Sequence, residues 1–352
     1  MPLRKIHLAA VTLATILAST ISLTSAQVTP APTYVLKTTI SVPTWAGLNS
    51  IAIDINWVDP ETETLYIASR PPGGAIEVID AASNTFVRAA GRGEFLGVSA
   101  AGNGPNGVAS VSPVEVTAGN GDSTIKLVNV FTDETQSIAT GGAGRADEVG
   151  YDPVSDTIMV GNNRDTPQFV TILKAHPFQI LGKVEFPTAT ANVDQPVAIG
   201  GRFYVSVAAS TANPGGEVDV INPATLAIER VIPAANCHPS GMAAGVPGTL
   251  ITGGAGCVID IATGRVTQIP DAGGDEVYAD PVRGVYAFVI AETETLNLAD
   301  ARTNQVFQKL PVGPGGHNVA INPGNGEIFV PDLDNKVVLV FAPAETAEGK
   351  GK

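Results

Sequence analysis

The chain has 352 residues and is acidic, with 34 Asp and Glu residues against 20 Lys and Arg residues. Such a negative surface repels nucleic acids and anionic membranes, so we expect neither as a partner. The 38 glycines and 26 prolines favour short strands joined by tight turns, which argues against a helical fold.

The first segment, residues 1–26, has the pattern of a secretory signal peptide. Arg4 and Lys5 precede an apolar run from Leu8 to Leu23, and small residues follow it. The run is short for a membrane anchor, and no later stretch is long and apolar enough to span a bilayer. We therefore expect a secreted or periplasmic, soluble monomer without membrane insertion.

A turn resembling Asp-Pro recurs along the rest of the chain, each time between two short apolar stretches. Recurrence of this kind, at a period of tens of residues, indicates a repeat architecture. The seven turns are Asp59-Pro60, Ser112-Pro113, Asp152-Pro153, Gly200-Gly201, Pro247-Gly248, Asp280-Pro281 and Asn322-Pro323.

A second marker follows these turns. An alternating apolar strand ends in Asp or Asn, a pattern that suits a side-chain-capped turn before the next strand. Its positions are Asp80, Asn129, Asn222, Asp260 and Asp300, with Lys174 in the corresponding place of another repeat. Four short strands per repeat are typical of a propeller blade. The sequence therefore predicts an all-β, seven-bladed β-propeller with four-stranded antiparallel blades.

The two ends of the predicted ring complement each other. The last repeat, 317–342, supplies only three strands, while "YVLKTTISV" (34–42) is a strand without a neighbour in sequence. Pairing this strand into the last blade would close the ring and hide its edges. We expect one propeller domain over residues 27–343, followed by a disordered polar tail, 344–352.

The first repeat, "DPETETLYIASRPPGGAIEVIDAASNTFV", resembles the YVTN-type (YncE-like) seven-bladed propeller family. The resemblance extends over nearly all of residues 34–342. It implies an exported binding or scaffold-like propeller, and it carries no catalytic residue set to transfer.

The innermost strand of each blade is expected to begin with a polar side chain at one mouth of the central channel. The predicted ring is Asn49, Asn106, Asp147, Gln195, Ser240, Asp275 and His317. Propeller channels also hold water, so polar groups there do not require a ligand. Our leading hypothesis is that this mouth binds a small molecule, a glycan or a protein, with Arg70 and Arg164 on nearby loops available to an anionic group.

Carboxylates and a histidine converge on the same mouth, which makes it a candidate site for a divalent metal ion. The motif Asp-Glu-Val occurs twice, so blades 3 and 6 begin alike. The candidate ligands are Asp147, Glu148, Asp275, Glu276 and His317. Histidine ligands would favour Zn²⁺ or Mn²⁺, and oxygen ligands alone would favour Ca²⁺ or Mg²⁺.

An alternative hypothesis is a metal-dependent enzyme of the lactonase or lyase type. In it, His238, His317 and Glu276 would be the catalytic residues, with a histidine transferring a proton. The sequence has no nucleophile elbow, phosphate loop or dinucleotide fingerprint. The sequence alone leaves open whether the protein is an enzyme.

Cys237 and Cys257 are the two cysteines of the chain. In an oxidising compartment such a pair is expected to form a disulfide bond. The bond would hold the corner that carries His238.

Overall fold

The computed structural model describes residues 31–344, and these residues form a ring of seven four-stranded antiparallel sheets. The innermost strands of neighbouring blades contact one another all the way around the ring. This confirms the predicted seven-bladed β-propeller. The predicted signal peptide, and the predicted tail apart from Ala344, lie outside the described residues.

Within residues 31–344 the regular elements are strands, apart from one 3-10 turn at Pro43–Trp45. Strand β1 (Tyr34–Ser41) precedes the first blade. Each of the next six blades runs outward from the channel in chain order.

Blades 1 to 3 contain the following strands, with one short hairpin inserted after the first blade. Blade 1 is β2 (Ile53–Asp59), β3 (Thr64–Ser69), β4 (Ala75–Asp80) and β5 (Thr85–Ala90). The inserted hairpin is β6 (Gly97–Ser99) and β7 (Gly102–Gly104). Blade 2 is β8 (Val108–Ser112), β9 (Glu115–Gly119), β10 (Thr124–Asn129) and β11 (Thr135–Ala139). Blade 3 is β12 (Val149–Asp152), β13 (Thr157–Asn162), β14 (Gln168–Lys174) and β15 (Gln179–Phe186).

Blades 4 to 7 complete the ring. Blade 4 is β16 (Val193–Ile199), β17 (Arg202–Val207), β18 (Glu217–Asn222) and β19 (Ala227–Pro233). Blade 5 is β20 (Met242–Ala244), β21 (Thr249–Thr252), β22 (Cys257–Asp260) and β23 (Val266–Gln268). Blade 6 is β24 (Val277–Asp280), β25 (Val285–Ile290), β26 (Thr295–Asp300) and β27 (Gln305–Pro311). Blade 7 is β28 (Ala320–Ile321), β29 (Ile328–Asp332), β30 (Val337–Pro343) and β1.

Ring closure follows the predicted scheme. Strand β1 pairs antiparallel with β30, from Tyr34 opposite Pro343 to Ser41 opposite Val337. Tyr34 and Ile40 are buried, so the strand contributes to the core as well as covering an edge. Closure removes the free edge that blade 7 would otherwise present to solvent.

The predicted turn residues lie at turns, where their side chains accept hydrogen bonds from backbone N–H groups two or three residues later. The Oδ1 atom of Asp80 accepts hydrogen bonds from the backbone N–H groups of Ala82 and Ser83, both at 2.9 Å. Equivalent bonds are made by Asn129, Asn222, Asp260 and Asp300 at the same hairpin, and by Asp59, Asp152, Asp280 and Asn322 at the inner turn. These bonds fix where each blade turns.

The core of the described ring is divided between the blades. Seven hydrophobic clusters each fill the space between two neighbouring sheets. Because every blade is covered on both faces, its middle strands are almost continuously apolar.

The predicted disulfide between Cys237 and Cys257 is confirmed, with a Cα–Cα distance of 6.0 Å. It joins the segment before β20 to the start of β22, within blade 5. No helix within residues 31–344 has the length and apolar character needed to cross a membrane.

Candidate functional site

Strand pairing defines which residues are equivalent at the channel mouth. In blade 3, Asp147 lies two residues before Val149, which pairs with Val160 on the next strand. The same register applied to every blade gives a set that we call the mouth ring: Asp54, Asn106, Asp147, Asp194, Ser240, Asp275 and His317.

Five members of the mouth ring agree with the sequence prediction, and two do not. Asn49 lies in an exposed bend before β2, and its place is taken by Asp54. Gln195 lies one residue beyond the ring, and its place is taken by Asp194. In both blades the pairing of the first two strands is irregular across the ring position itself, between Ile53 and Asn56 and between Val193 and Pro196, which shifts the count of residues.

A signal for Asp54 was present in the sequence. Counting five residues back from the Asp of an inner turn gives Asp147 from Asp152 and Asp275 from Asp280. The same count from Asp59 gives Asp54, a charged residue within the apolar stretch "IAIDINWV". Asp194 gives a weaker signal because its blade lacks the Asp-Pro turn.

Two arginines neutralise part of the mouth ring. Arg145, which sequence reasoning missed, forms a salt bridge with Asp147 Oδ2, and its Nε donates to Asn163 Oδ1 at 3.2 Å. Asn163 in turn donates from Nδ2 to Asp147 Oδ2 at 2.5 Å. The second carboxylate oxygen, Asp147 Oδ1, has no hydrogen-bond partner.

Arg70 is not a member of the mouth ring, but its largely buried side chain contacts two of the members. Its guanidinium forms a salt bridge with Asp54 and donates to Asn106 Oδ1 at 2.6 Å. Asn106 also donates to the carbonyl of Ala146 at 2.6 Å, which links blades 1, 2 and 3. Arg164 is exposed on the loop between β13 and β14.

Three carboxylates form the most compact acidic group of the described residues, and we call them the carboxylate triad: Asp147, Glu148 and Asp194. Each offers one oxygen, and these oxygens lie within 4.8 Å of one another. The exposed fractions of the three residues are 1%, 4% and 8%. Glu148 Oε2, like Asp147 Oδ1, is buried without a hydrogen-bond partner.

The environment of the triad disfavours ionised carboxylates. Burial, followed by repulsion from Asp54, raises the pKa of Asp147 to about 7. Burial and the charges of Asp147 and Asp275 raise the pKa of Asp194 to about 8. The pKa of Glu148 is also raised well above its usual value, mainly by burial and next by Glu276. The triad therefore takes up protons easily unless a cation replaces them.

The two Asp-Glu-Val copies are repeats, and they also interact electrostatically, because the pKa of Glu148 is raised by burial and next by the charge of Glu276. The pKa of Glu276 is raised well above its usual value, chiefly by burial and then by Asp275 and Asp194.

The glutamate of each Asp-Glu-Val copy, Glu148 or Glu276, lies beside a glycine of the preceding blade. A Cβ on Gly107 would lie 2.8 Å from Glu148 Cα, and one on Gly241 would lie 2.5 Å from Glu276 Oε2.

Gly241→Ala is expected to lower the free energy of unfolding by about 1–3 kcal/mol, because the added methyl group overpacks the mouth. Its Cβ would also lie 2.5 Å from the carbonyl oxygen of Asp275, which is backbone and cannot rotate away. The matched control is Gly161→Ala, whose Cβ would meet its nearest atom at 3.8 Å. Urea denaturation measures both changes, and an equal effect would contradict this account of the site.

The two predicted histidines occupy different surroundings. His317 is half-buried, with Nδ1 3.2 Å from the carbonyl oxygen of Gly315. Burial raises the pKa of Asp275, and the nearby His317 partly offsets that rise. His238 is exposed, with Nδ1 3.2 Å from the carbonyl oxygen of Ala208. The triad thus contains two of the five predicted metal ligands, and Asp275, Glu276 and His317 lie outside it.

Fold and site together define a seven-bladed β-propeller with an acidic channel mouth. No protein-family model and no curated protein matches the sequence. Among solved structures, the chain resembles a Kuenenia stuttgartiensis hydrazine synthase, with a TM-score of 0.68, 13% identity, and coverage of 85% of this chain and 97% of that one. It also resembles the WD40 β-propeller domain of Doa1, with a TM-score of 0.67, 13% identity, and coverage of 89% and 98%. At this identity the likeness concerns the fold alone.

Proposed function

We propose that this protein is an exported binding propeller whose mouth holds a divalent cation, and that the cation helps to capture a small molecule, glycan or protein. The observation that carries the proposal is the carboxylate triad, in which Asp147 Oδ1 and Glu148 Oε2 are buried without hydrogen-bond partners. Buried polar side-chain atoms usually have a protein group, an ordered water or an ion as partner, and two carboxylate oxygens side by side suit a cation.

Charge and geometry favour Ca²⁺ as the ion. Three carboxylates and the paired Arg145 carry a formal charge of about −2 when ionised, which complements a divalent cation. Two oxygens bound to Ca²⁺ at its usual ligand distance can lie about 5 Å apart, compatible with the 4.8 Å limit of the triad. Ligands made only of oxygen also suit Ca²⁺ better than Zn²⁺.

Export and family membership are part of the same proposal. The disulfide in blade 5 supports an oxidising compartment, in keeping with the signal-like pattern of residues 1–26. The repeat pattern of blade 1 supports membership of the YVTN-type family. The exposed Arg164 on a mouth loop is available to an anionic group of the captured ligand.

Calcium titration of the full chain after treatment with a chelator tests the proposal. We expect one Ca²⁺ per chain by calorimetry, a higher melting temperature with Ca²⁺, and at least a tenfold weaker affinity in Asp194→Asn because the carboxylate charge is lost and one of its two oxygens becomes an amide nitrogen. Asp275→Asn, outside the triad, is the matched control and should change the affinity less than threefold.

The outcomes separate the two ligand sets. Loss of Ca²⁺ in Asp275→Asn with retention in Asp194→Asn would move the ion to the predicted group of Asp275, Glu276 and His317. Wild-type protein that binds neither Ca²⁺, Mg²⁺, Mn²⁺ nor Zn²⁺ would overturn the proposal.

The alternative is lactonase- or lyase-type catalysis at the same mouth. The observation in its favour is His317, whose charge acts on Asp275 and which is therefore positioned for proton transfer. This function requires turnover of a simple lactone or uronate oligosaccharide that is lost in both Asp194→Asn and His317→Ala. His238 would take part only if His238→Ala also lost turnover.

A further inference from the structure

We infer that the other half of the channel is a second site, which binds an organic cation: an apolar body that carries a protonated amine. This inference stands apart from the cation at the mouth, because its residues are not those of the triad.

The site is a chamber of about 570 Å³ that begins below the mouth ring and extends to the face of the inner turns. Ligand pockets for small molecules are commonly of this size. All seven blades contribute to its wall. The apolar lining includes Val108, Val149, Met242, Val277 and Val319.

Aromatic rings lie toward the open end of the chamber. Trp57 and Tyr278 have ring centroids 6.0 Å apart, and Tyr151 lines the chamber as well. The indole Nε1 of Trp57 donates to Ser110 Oγ at 2.9 Å, which holds the ring in place. Fixed aromatic faces bind flat apolar groups and also attract cations.

A single polar residue interrupts the apolar layer of the wall. At the position of Val149 and its equivalents, six blades carry Val, Pro or Met, and blade 1 carries Asn56. Asn56 is 3% exposed, and neither its Oδ1 nor its Nδ2 has a hydrogen-bond partner. A buried amide with two unsatisfied atoms costs free energy that a polar ligand group would recover.

The inner end of the chamber adds two further acceptors. Gln195 Oε1 is buried and unpartnered, although its Nε2 donates to the carbonyl of Val149 at 3.4 Å. Glu276 lines the same end and, among the described residues, has no ion-pair partner. An ammonium group supplies the donors that these acceptors need.

The sign of the charge on the wall selects a cation. The ionisable lining residues are acidic or tyrosine, with Asp59, Glu61 and Glu276 as the carboxylates, and the lining formed by the described residues contains no Lys, Arg or His. An apolar anion would have to enter a low-dielectric chamber with like charges and without a counter-ion. An apolar amine would meet the carboxyl group of Glu276 at the inner end, where a bound ammonium group would favour the ionised carboxylate, and aromatic rings around its body.

Three fluorescent probes with one body test this inference on the full chain. Dansylcadaverine carries an amine, dansylamide is neutral, and dansylglycine is an anion. We expect one dansylcadaverine per chain, quenching of tryptophan fluorescence by energy transfer, and at least tenfold weaker binding of the other two probes. Binding should persist with chelator, which separates this site from the ion at the mouth.

Two variants locate the site. Asn56→Leu restores the apolar layer and is expected to weaken dansylcadaverine binding at least tenfold with an unchanged or higher melting temperature. In Glu276→Gln, the dissociation constants of dansylcadaverine and dansylamide should differ by less than threefold. Equal binding of all three probes, no saturable binding, or unchanged binding in Asn56→Leu would overturn the inference.

Discussion

Replacing Ile40 by alanine is expected to lower the free energy of unfolding by about 2–5 kcal/mol. Ile40 is 4% exposed on β1, packs in the cluster between blades 7 and 1, and pairs with Val338 of β30. Truncation therefore leaves a cavity at the seam where the ring closes. A loss of this size is a large part of the stability of an ordinary domain.

Leu36→Ala is the matched control, because Leu36 lies on the same strand with 55% of its surface exposed. We expect a change within about 0.5 kcal/mol. Urea denaturation followed by the fluorescence of Trp45, which lies in the same cluster as Ile40, reports both variants. Equal losses in the two variants would show that β1 does not close the ring in solution.

Asp219→Asn is expected to stabilise the protein at neutral pH, by up to about 4 kcal/mol, because each pKa unit corresponds to about 1.4 kcal/mol. Asp219 is 3% exposed on β18, and its Oδ1 has no hydrogen-bond partner. Burial, and then the charge of Glu217, raise its pKa to about 7. Ionising this carboxyl in the folded state is therefore costly, and the neutral amide avoids that cost.

The pH dependence follows from the direction of the shift. The unfolded chain releases the Asp219 proton near the ordinary aspartate pKa of 3.8, and the folded protein releases it at a pKa of about 7. Stability of the wild type therefore falls as pH rises between these values. The gain in the free energy of unfolding of Asp219→Asn should be absent near pH 3.8 and complete above about pH 7. Thermal melts across this range measure it.

Asp80→Asn provides the control for Asp219→Asn. Backbone bonding from Ser83 lowers the pKa of Asp80, and blades 2 and 4 already carry Asn129 and Asn222 at this turn. We expect a change of less than about 0.5 kcal/mol, with no gain as pH rises. A gain in Asp80→Asn equal to that of Asp219→Asn would contradict the role assigned to burial.

The fold was predictable because its signals are local. The turn at Asp80 is held by bonds to residues two and three positions later, and the sequence repeats that arrangement around the ring. The missing strand of the last repeat and the unpaired strand near Tyr34 completed the count of blades. The hairpin β6–β7 was not predicted. It rests on close packing of Gly97 against Pro71, a contact between distant segments.

The site was predictable only in part because it depends on register. Asp147 and Asp275 were found through their repeated motif, whereas an irregular strand pair displaced the count at Asp194. The salt bridge between Arg145 and Asp147 depends on the path of the loop that carries Arg145. No short sequence pattern predicts that path. The chamber is a property of the assembled ring, and Asn56 stands out only once the wall is aligned.

The seam between β1 and β30 has a mechanical consequence. Tyr34 and Pro343 are paired at one end of the two strands, so a pulling force applied through both would load their hydrogen bonds one after another. Two antiparallel strands that are pulled apart from the same end separate one hydrogen bond at a time, and at low force. Burial of Ile40 thus stabilises the closed ring against thermal unfolding. Under tension, however, the pairing of β1 with β30 would be the first to separate.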